Sequence, residues 1–418
     1  MFRLSTLLVT LACIQSAVAL AQDTVYESPE SAAQDPDFAI QGEYKGPKRG
    51  MQVIALGDGD FEAVIYQGGL PGDGWDRSPP RRLEADEDIV ASVAEANEME
   101  RIVRKSPTLD QKAPPGAIVL FDGTRETLEK HWKSGKLTAD GFLQQGVTSK
   151  ETFQDFKLHI EFRTPYKPFA RGQKRGNSGV YYQGRYETQV LDSFGLEGKM
   201  NETGGIYSIR APDLNMCFPP LQWQTYDAEF TAAKFDASGK KTENARLTVR
   251  LNGVLVQSDV SLTHKTTAAP LKEGPEPGPI FLQNHSNPVV FRNIWVQPRD
   301  VEREARRPIL PGFERFFAAD DSVSSRNLAG EMLVNELGCA NCHDVPATTL
   351  SPKLAPALTA IGSRLRPDFL VDYIANPHQH KPGTLMPSML EEFTAAERLE
   401  VATAITNFLL DEDRGVAE

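Results

Sequence analysis

Apolar and polar positions alternate strictly over one stretch of this chain. Phe156, Leu158, Ile160 and Phe162 interleave with Lys157, His159, Glu161 and Arg163, the period of a strand with one buried face. Leu247, Val249 and Leu251 repeat the pattern up to Asn252-Gly253, after which Val254-Leu255-Val256 resumes it, which predicts a hairpin with a tight turn. Val289 to Val296 predicts another strand. Many short strands separated by turn residues over 116–298 predict a β-sandwich or jelly roll. Upstream, Met51 to Leu56 and Phe61 to Tyr66 read as strands about a Gly-Asp-Gly-Asp turn, a small β segment that follows a polar, flexible start, together 22–76. Residues 77–115 are charged and read as a connector, with a helix around Glu84 to Lys105.

The period changes toward the carboxyl end. Leu328 to Leu337 predicts a short helix, and a final helix opens at Thr394 with Glu397 three residues later, a capping box. Val401, Ala402, Ile405, Phe408 and Leu409 form its apolar stripe. The expected organisation is multidomain: a sandwich, a charged linker over 299–325, and a small all-α domain over 326–418.

Met1-Phe2-Arg3, an apolar run from Leu4 to Ala12 and the small-residue end Ala19-Leu20-Ala21 read as a signal peptide over 1–21. Leu11-Ala12-Cys13 offers a weaker lipoprotein reading. No later run approaches the ~20 apolar residues of a membrane span. A periplasmic or secreted protein is expected. Formal charge is −12. From Leu328 onward there are 6 basic and 13 acidic residues. No basic stripe is present to neutralise phosphates, so nucleic acid is not an expected partner.

Within the acidic tail stands Cys339-Ala340-Asn341-Cys342-His343, the CxxCH attachment pattern of haem c. Cys339 and Cys342 would form the thioethers and His343 the axial ligand. A zinc site would need further ligands, and no second cysteine pair exists, although His378 and His380 stand downstream. Met386, in Gly383-Thr384-Leu385-Met386-Pro387, follows His343 by 43 residues and lies in a loop that could present its sulfur. His378 or His380 are the alternatives. The tail resembles a single-haem cytochrome c domain, which implies His343 as proximal and Met386 as distal ligand. One covalent haem c would then make this domain an electron carrier. Its redox partner would be a sugar dehydrogenase or a respiratory carrier. With Cys13 in the signal and two cysteines on haem, Cys217 is left as a buried small residue.

Several blocks of the predicted sandwich carry a second resemblance. They are Val119 to Gly123, Gly176-Asn177-Ser178-Gly179-Val180-Tyr181, Tyr186 to Asp192, Leu251-Asn252-Gly253, Gly278-Pro279-Ile280 through His285, and Phe291 to Ile294. Together they resemble the 3-keto-disaccharide hydrolase family, whose fold is a concanavalin-like jelly roll. The resemblance implies carbohydrate binding and, for some members, cleavage of glycosides oxidised at C3.

On a strand from Tyr186 to Asp192, Glu187 and Gln189 share one face and Asp192 points the other way. Phe281, Gln283 and His285 share a face of the strand Ile280 to His285. A base for the C2 proton of a 3-keto sugar is then Glu187 or His285. Arg210, His285 or a metal ion would stabilise the oxyanion. Gln189 completes the candidate catalytic set. Asn177, Tyr181, Tyr182, Arg185, Trp223 and Gln283 are candidates for holding the sugar, by stacking or hydrogen bonding. A glycan-binding module without turnover, tethering an electron-transfer cytochrome, is the alternative function, and a respiratory carrier with the sandwich as scaffold is a third.

Overall fold

The computed structural model describes residues 24–301 and, beyond them, 327, 330–334, 337–339, 343, 355–356, 358–384, 386–391 and 393–412. The expected signal peptide, most of the expected linker and Cys342 therefore lie outside the described residues. The chain divides into two units, Met1–Arg299 and Asp300–Glu418.

The first unit begins with two short helices, α1 (Pro29–Ala32) and α2 (Pro36–Ile40), and an antiparallel sheet. Its strands are β1 (Gly42–Lys45), β2 (Arg49–Gly57), β3 (Asp60–Gln67), β4 (Arg81–Ala85) and β5 (Glu100–Ile102), in the order β4-β3-β2-β1-β5. Helix α3 (Glu87–Ala96), capped by Asp86, joins β4 to β5. The expected connector at 77–115 is thus corrected, because β4, α3 and β5 belong to this module. The start is also more ordered than its polarity suggested: Tyr26 pairs with Tyr166, and Ala32 is buried. A core of Met51, Val53, Phe61 and Ala63 closed by Val90 and Met99 explains both corrections. The polar residues lie on outer faces, and the apolar minority is enough to fix the elements.

The sandwich supplies β6 (Ile118–Phe121), α4 (Arg125–His131), β7 (Trp132–Lys133), β8 (Leu143–Gln144), β9 (Val147–Ser149), β10 (Phe156–Arg163), β11 (Ser178–Tyr182) and β12 (Tyr186–Val190). It continues with β13 (Gln224–Thr231), the small pair β14 (Lys234–Phe235) and β15 (Lys241–Glu243), β16 (Ala245–Leu251), β17 (Val254–Leu262), β18 (Phe281–Leu282) and β19 (Val290–Pro298). One sheet runs β17-β16-β13-β10-β19-β6, with β8 also on β19; the other runs β12-β11-β18-β9-β7. The hairpin turn is as expected: Asn252 and Gly253 have φ of 52° and 79°, the left-handed pair that a two-residue turn requires.

Phe156, Leu158, Ile160 and Phe162 of β10 meet Val180 and Tyr182 of β11 and Tyr186 and Val190 of β12 in one core. Alternation then fixes the rest. Glu187 and Gln189 point away from the core on one sheet, while His159, Glu161 and Arg163 point away from it on the other. Residues 106–111 cross the outer face of the larger sheet. Thr108 Oγ1 donates to Asp227 Oδ2 at 2.6 Å and the Asp110 N–H to Glu161 Oε1 at 2.5 Å.

In the second unit, α5 (Pro367–Ala375), α6 (Pro377–His380) and α7 (Ala395–Glu412) surround a core that includes Leu333, Ile361, Leu370 and Phe393. Residues 330–334 are helical. The capping box is present: the Thr394 N–H donates to Glu397 Oε2 at 3.0 Å and the Glu397 N–H to Thr394 Oγ1 at 3.4 Å. All five stripe residues of α7 are buried.

Candidate functional site

Tyr181 and Glu187 stand directly opposite each other in the β11–β12 ladder. Both side chains project from the outer face, and the Tyr181 hydroxyl donates to Glu187 Oε2 at 2.6 Å. Gln283 Nε2 donates to the same hydroxyl at 3.1 Å. Gly179 makes this geometry possible, since a Cβ there would sit 2.2 Å from Glu187 Oε1. Glu187 is 1% exposed, and burial pushes its carboxyl up to about 7 although the Tyr181 bond pulls the other way. No cation is among the causes acting on it.

Three amides extend the cluster. The Gln189 amide has two orientations related by a half-turn. In one, Nε2 donates to Gln173 Oε1 at 3.0 Å and Asn177 Oδ1 at 3.3 Å. In the other, it donates to Glu187 Oε1 and Ser178 O, both at 3.1 Å. The second suits an ionised Glu187, and the first suits a neutral one able to donate to the Gln189 oxygen. Asn177 Nδ2 donates to Gln173 O at 3.0 Å. Gln173 went unnoticed in the sequence because it lies in a charged 3-10 turn, Gly172–Lys174, without periodicity. Tyr207, whose N–H donates to Glu187 O at 3.1 Å, was also missed; it lies in a turn between Ile206 and Arg210.

Glu187, Gln189, Asn177, Tyr181 and Gln283 therefore assemble. Other expected members do not. β18 ends at Leu282, and the Ser286 N–H donates to Asn284 Oδ1 at 2.9 Å, a turn that swings His285 out to solvent. Arg185 is buried and donates to Gln183 Oε1 and to the carbonyls of Lys272 and Glu276, all at 2.8 Å, so it ties down a loop instead of facing a sugar. Arg210 is engaged by Gln257 and Asp213 at 2.5 Å each. Tyr182 is a core residue. Trp223 lies on the far side of the sandwich, with the guanidinium groups of Arg292 and Arg163 4.4 and 5.1 Å from its ring centroid. Asp192 pairs with Arg175 at 2.9 Å, which leaves it no part in a two-carboxylate site. Cys217 is buried, its thiol pushed up to about 12 by burial first, consistent with a small core residue.

Residues 116–297 match the model of the 3-keto-alpha-glucoside-1,2-lyase-like domain. Through this segment the chain belongs to that family. A candidate glycosyl hydrolase from Parabacteroides distasonis ATCC 8503 is 33% identical, over 45% of this chain and 85% of that one, with a TM-score of 0.41. A second from the same organism is 19% identical, over 44% and 94%, with a TM-score of 0.33. The carbohydrate binding module CBM66 from Bacillus subtilis is 15% identical, over 40% and 95%, with a TM-score of 0.24. No curated protein matches. The lyase-like domain thus makes this a carbohydrate-active protein on a jelly-roll-like sandwich, and the polar cluster on β11 and β12 is its candidate site. Among the described residues no helix is long and apolar enough to cross a membrane.

The second unit can be tested for its fit to haem c. His343 Nδ1 lies 2.8 Å from Pro356 O. A carbonyl only accepts, so Nδ1 carries a proton, and it is the neutral ring with its lone pair on Nε2 that would ligate a metal. The His343 N–H donates to Cys339 O at 2.9 Å, and Cys339 packs against the helical core. Met386 is half-buried, and its N–H donates to Thr384 Oγ1 at 3.2 Å, which itself pairs with Tyr373 of α5 at 2.9 Å. His378 and His380 are exposed on α6. Cys339, His343 and Met386 thus carry donor atoms of the kind haem c takes, while Cys342 lies outside the described residues.

Proposed function

We propose that the lyase-like domain cleaves 3-keto-glycosides by elimination followed by hydration, with Glu187 as the base. The observation that carries this reading is a buried carboxyl raised to about 7 with no opposing cation. At neutral pH such a group is present in both protonation states, which suits a residue that first accepts and then returns a proton. Ionised Glu187 takes the C2 proton that the C3 ketone acidifies. The electron pair moves into the enolate and expels the C1 oxygen. The leaving alkoxide collects the proton from Glu187, and water then adds across the enone to complete a net hydrolysis. The amide N–H groups of Gln189, Asn177 and Gln283 supply donors for sugar hydroxyls and the enolate oxygen. Arg210 and His285 have no role in this scheme.

A second reading is binding without turnover, and the 1% exposure of Glu187 favours it, since a base must meet its substrate. Turnover decides between them. Supplied with a 3-keto-glucoside, the protein should release the aglycone and the Glu187→Gln variant should not. Equal release by both removes Glu187 from the reaction; release by neither, with retained glycan binding, leaves the binding module.

The second unit, in this proposal, would hold one haem c through Cys339, Cys342, His343 and Met386. The group would supply one-electron transfer to a partner such as a sugar dehydrogenase. The chain's own contribution is the Pro356 carbonyl, which fixes the His343 ring, and the Thr384 hydroxyl, which braces the Met386 loop. Export to the periplasm agrees with attachment of such a group. Protein from a host competent in cytochrome maturation should be red, with a weak long-wavelength band of sulfur-ligated ferric iron that Met386→Ala abolishes. Colourless protein ends this part of the proposal.

A further inference from the structure

The amides beside Glu187 form a chain anchored on backbone carbonyls, and the anchors give it a direction. Gln173 Nε2 donates to Asn201 O at 2.8 Å. Asn177 Nδ2 donates to Gln173 O at 3.0 Å and to Gln173 Oε1 at 3.2 Å. A backbone carbonyl only accepts, so neither amide can turn over without setting oxygen against oxygen. Gln173 Oε1 and Asn177 Oδ1 are therefore held facing Gln189, 3.0 and 3.3 Å from its Nε2. Asn177 and Gln189 are both buried, so bulk water does not relieve a mismatch between them.

Of the two orientations of Gln189, this chain favours the one that turns Nε2 toward Gln173 and Asn177. The Gln189 oxygen then lies 3.1 Å from both Glu187 Oε1 and Ser178 O. Ser178 O cannot donate, whereas a protonated carboxyl can. With Glu187 ionised, either orientation leaves two oxygen–oxygen contacts, with Glu187 and Ser178 in one and with Gln173 and Asn177 in the other. With the proton on Glu187 Oε1, the first orientation keeps only the Ser178 contact and gains a hydrogen bond. The other groups around this carboxyl do not reverse the preference. Tyr181 on β11 occupies Oε2. Tyr207 is tied to Glu187 through its backbone N–H. Tyr226, from the larger sheet, donates to the Gln189 backbone oxygen at 2.5 Å. The Arg175 guanidinium is paired with Asp192. Burial raises the same carboxyl, and only the Tyr181 hydroxyl opposes it.

We infer that Gln173 is a positioning residue that acts through Gln189 to hold the Glu187 carboxyl in its neutral form. This role presupposes Glu187 as the base proposed above, because it sets the pH at which that base becomes available. As the proton leaves, Gln189 must either turn over against Gln173 and Asn177 or face the new carboxylate with its oxygen. Both alternatives disfavour the charged form. Gln173 is half-buried in the 3-10 turn Gly172–Lys174 and is no member of the sandwich core, so its replacement alters hydrogen bonding without opening that core.

An NMR titration of the carboxyl carbons in the full chain tests it. Isotope-labelled glutamate supplies the signals, Glu187→Gln assigns the one of interest, and no substrate is needed. In Gln173→Ala, water takes the place of the amide and donates as readily as it accepts. Gln189 can then turn its N–H to Glu187, and a donor to the carboxylate favours the charged form. The titration midpoint of Glu187 should fall by about one pH unit. The acid limb of the kcat/KM profile for 3-keto-glucoside should move down with it, whereas a merely structural loss would lower kcat/KM at every pH alike. A lowered midpoint in a protein that turns over no 3-keto-glucoside would support the role of Gln173 and remove Glu187 as a base. A midpoint that is unchanged or raised in Gln173→Ala would overturn the inference, whether or not Glu187 proves to be the base.

Discussion

The sandwich buries one glutamate on each of its outer faces, and the two are treated in opposite ways. Glu161 on β10 is 0% exposed and Glu187 on β12 is 1% exposed. Around Glu161, burial pushes the carboxyl up, but hydrogen bonds from His159 and Asn293, the Arg292 charge and the Asp110 N–H together hold it below the usual range. Arg292 Nε lies 2.7 Å from Oε2 and Asn293 Nδ2 2.8 Å from Oε1. Around Glu187 the partners are a phenol and amides, none of them cationic, and burial wins. Equal burial therefore does not define a site. A compensated carboxylate is a structural clamp, here fastening residues 106–111 across the sheet. An uncompensated one stores free energy that chemistry can use.

The comparison breaks most decisively at Glu187. Glu187→Gln keeps shape and hydrogen bonds but removes the proton acceptor. Turnover of 3-keto-glucoside should fall by about 10²–10⁴-fold, the span of general-base contributions. Chemical unfolding at pH 7 should find the variant as stable as wild type or more so. Across the sandwich the same kind of change acts the other way. Arg292→Ala leaves Glu161 charged and buried, and should cost about 3 kcal/mol of stability. Turnover per folded molecule should stay unchanged. A stable Arg292→Ala variant would mean that Glu161 is hydrated, and the contrast would fail.

The sequence made the two faces visible but not their difference. Alternation along β10 and β12 told which residues leave the core, because a strand has a period of two whatever it packs against. It could not tell that Trp223 and Glu187 lie on opposite outer faces, since that depends on which sheet each strand joins, a long-range outcome. Arg185, Arg210 and His285 were misjudged on the same ground. Cationic or aromatic side chains near a motif look available until loops such as 272–276, or the turn at Asn284, claim or displace them. The amino-terminal module was underread for another reason: β4 and β5 are short edge strands whose Arg and Glu residues hide the pattern. The helix caps and the Asn-Gly hairpin were legible, since both are local chemistry.

A smaller effect separates the two carboxyls through pH. Glu187 is raised in the folded state, from 4.5 to about 7. The folded protein then holds a proton that the unfolded chain has released, so stability falls as pH rises through this window. At 1.36 kcal/mol per pKa unit, the loss is about 3 kcal/mol. Glu161 has the opposite sign, contributing stability above its unfolded value that is lost in acid. His159 also titrates nearby; burial lowers it, but Asp227 and Glu161 win and raise it. The informative quantity is therefore the difference between wild type and Glu187→Gln, in which the Glu161 and His159 contributions cancel. A difference that is flat from pH 4.5 to 7 would show that Glu187 keeps an ordinary carboxylate pKa.

The smallest expected effect concerns the hydrogen bond that moderates Glu187. The Tyr181 hydroxyl donates to the carboxylate and so favours its charged form. Tyr181→Phe removes that donor and keeps the ring packed on Phe281. A net hydrogen bond of about 1 kcal/mol corresponds to somewhat under one pKa unit. Glu187 should then ionise at higher pH, and the acid limb of the kcat/KM profile should move upward by roughly half a unit to one unit. The plateau at high pH, where the base is fully ionised in both proteins, should change little. A uniform loss at every pH would instead make Tyr181 a group that contacts the substrate, and the phenol would join Glu187 in the reaction. An unshifted profile with an unchanged plateau would place the titrating base elsewhere, leaving Glu187 as buried as Glu161 and no more reactive.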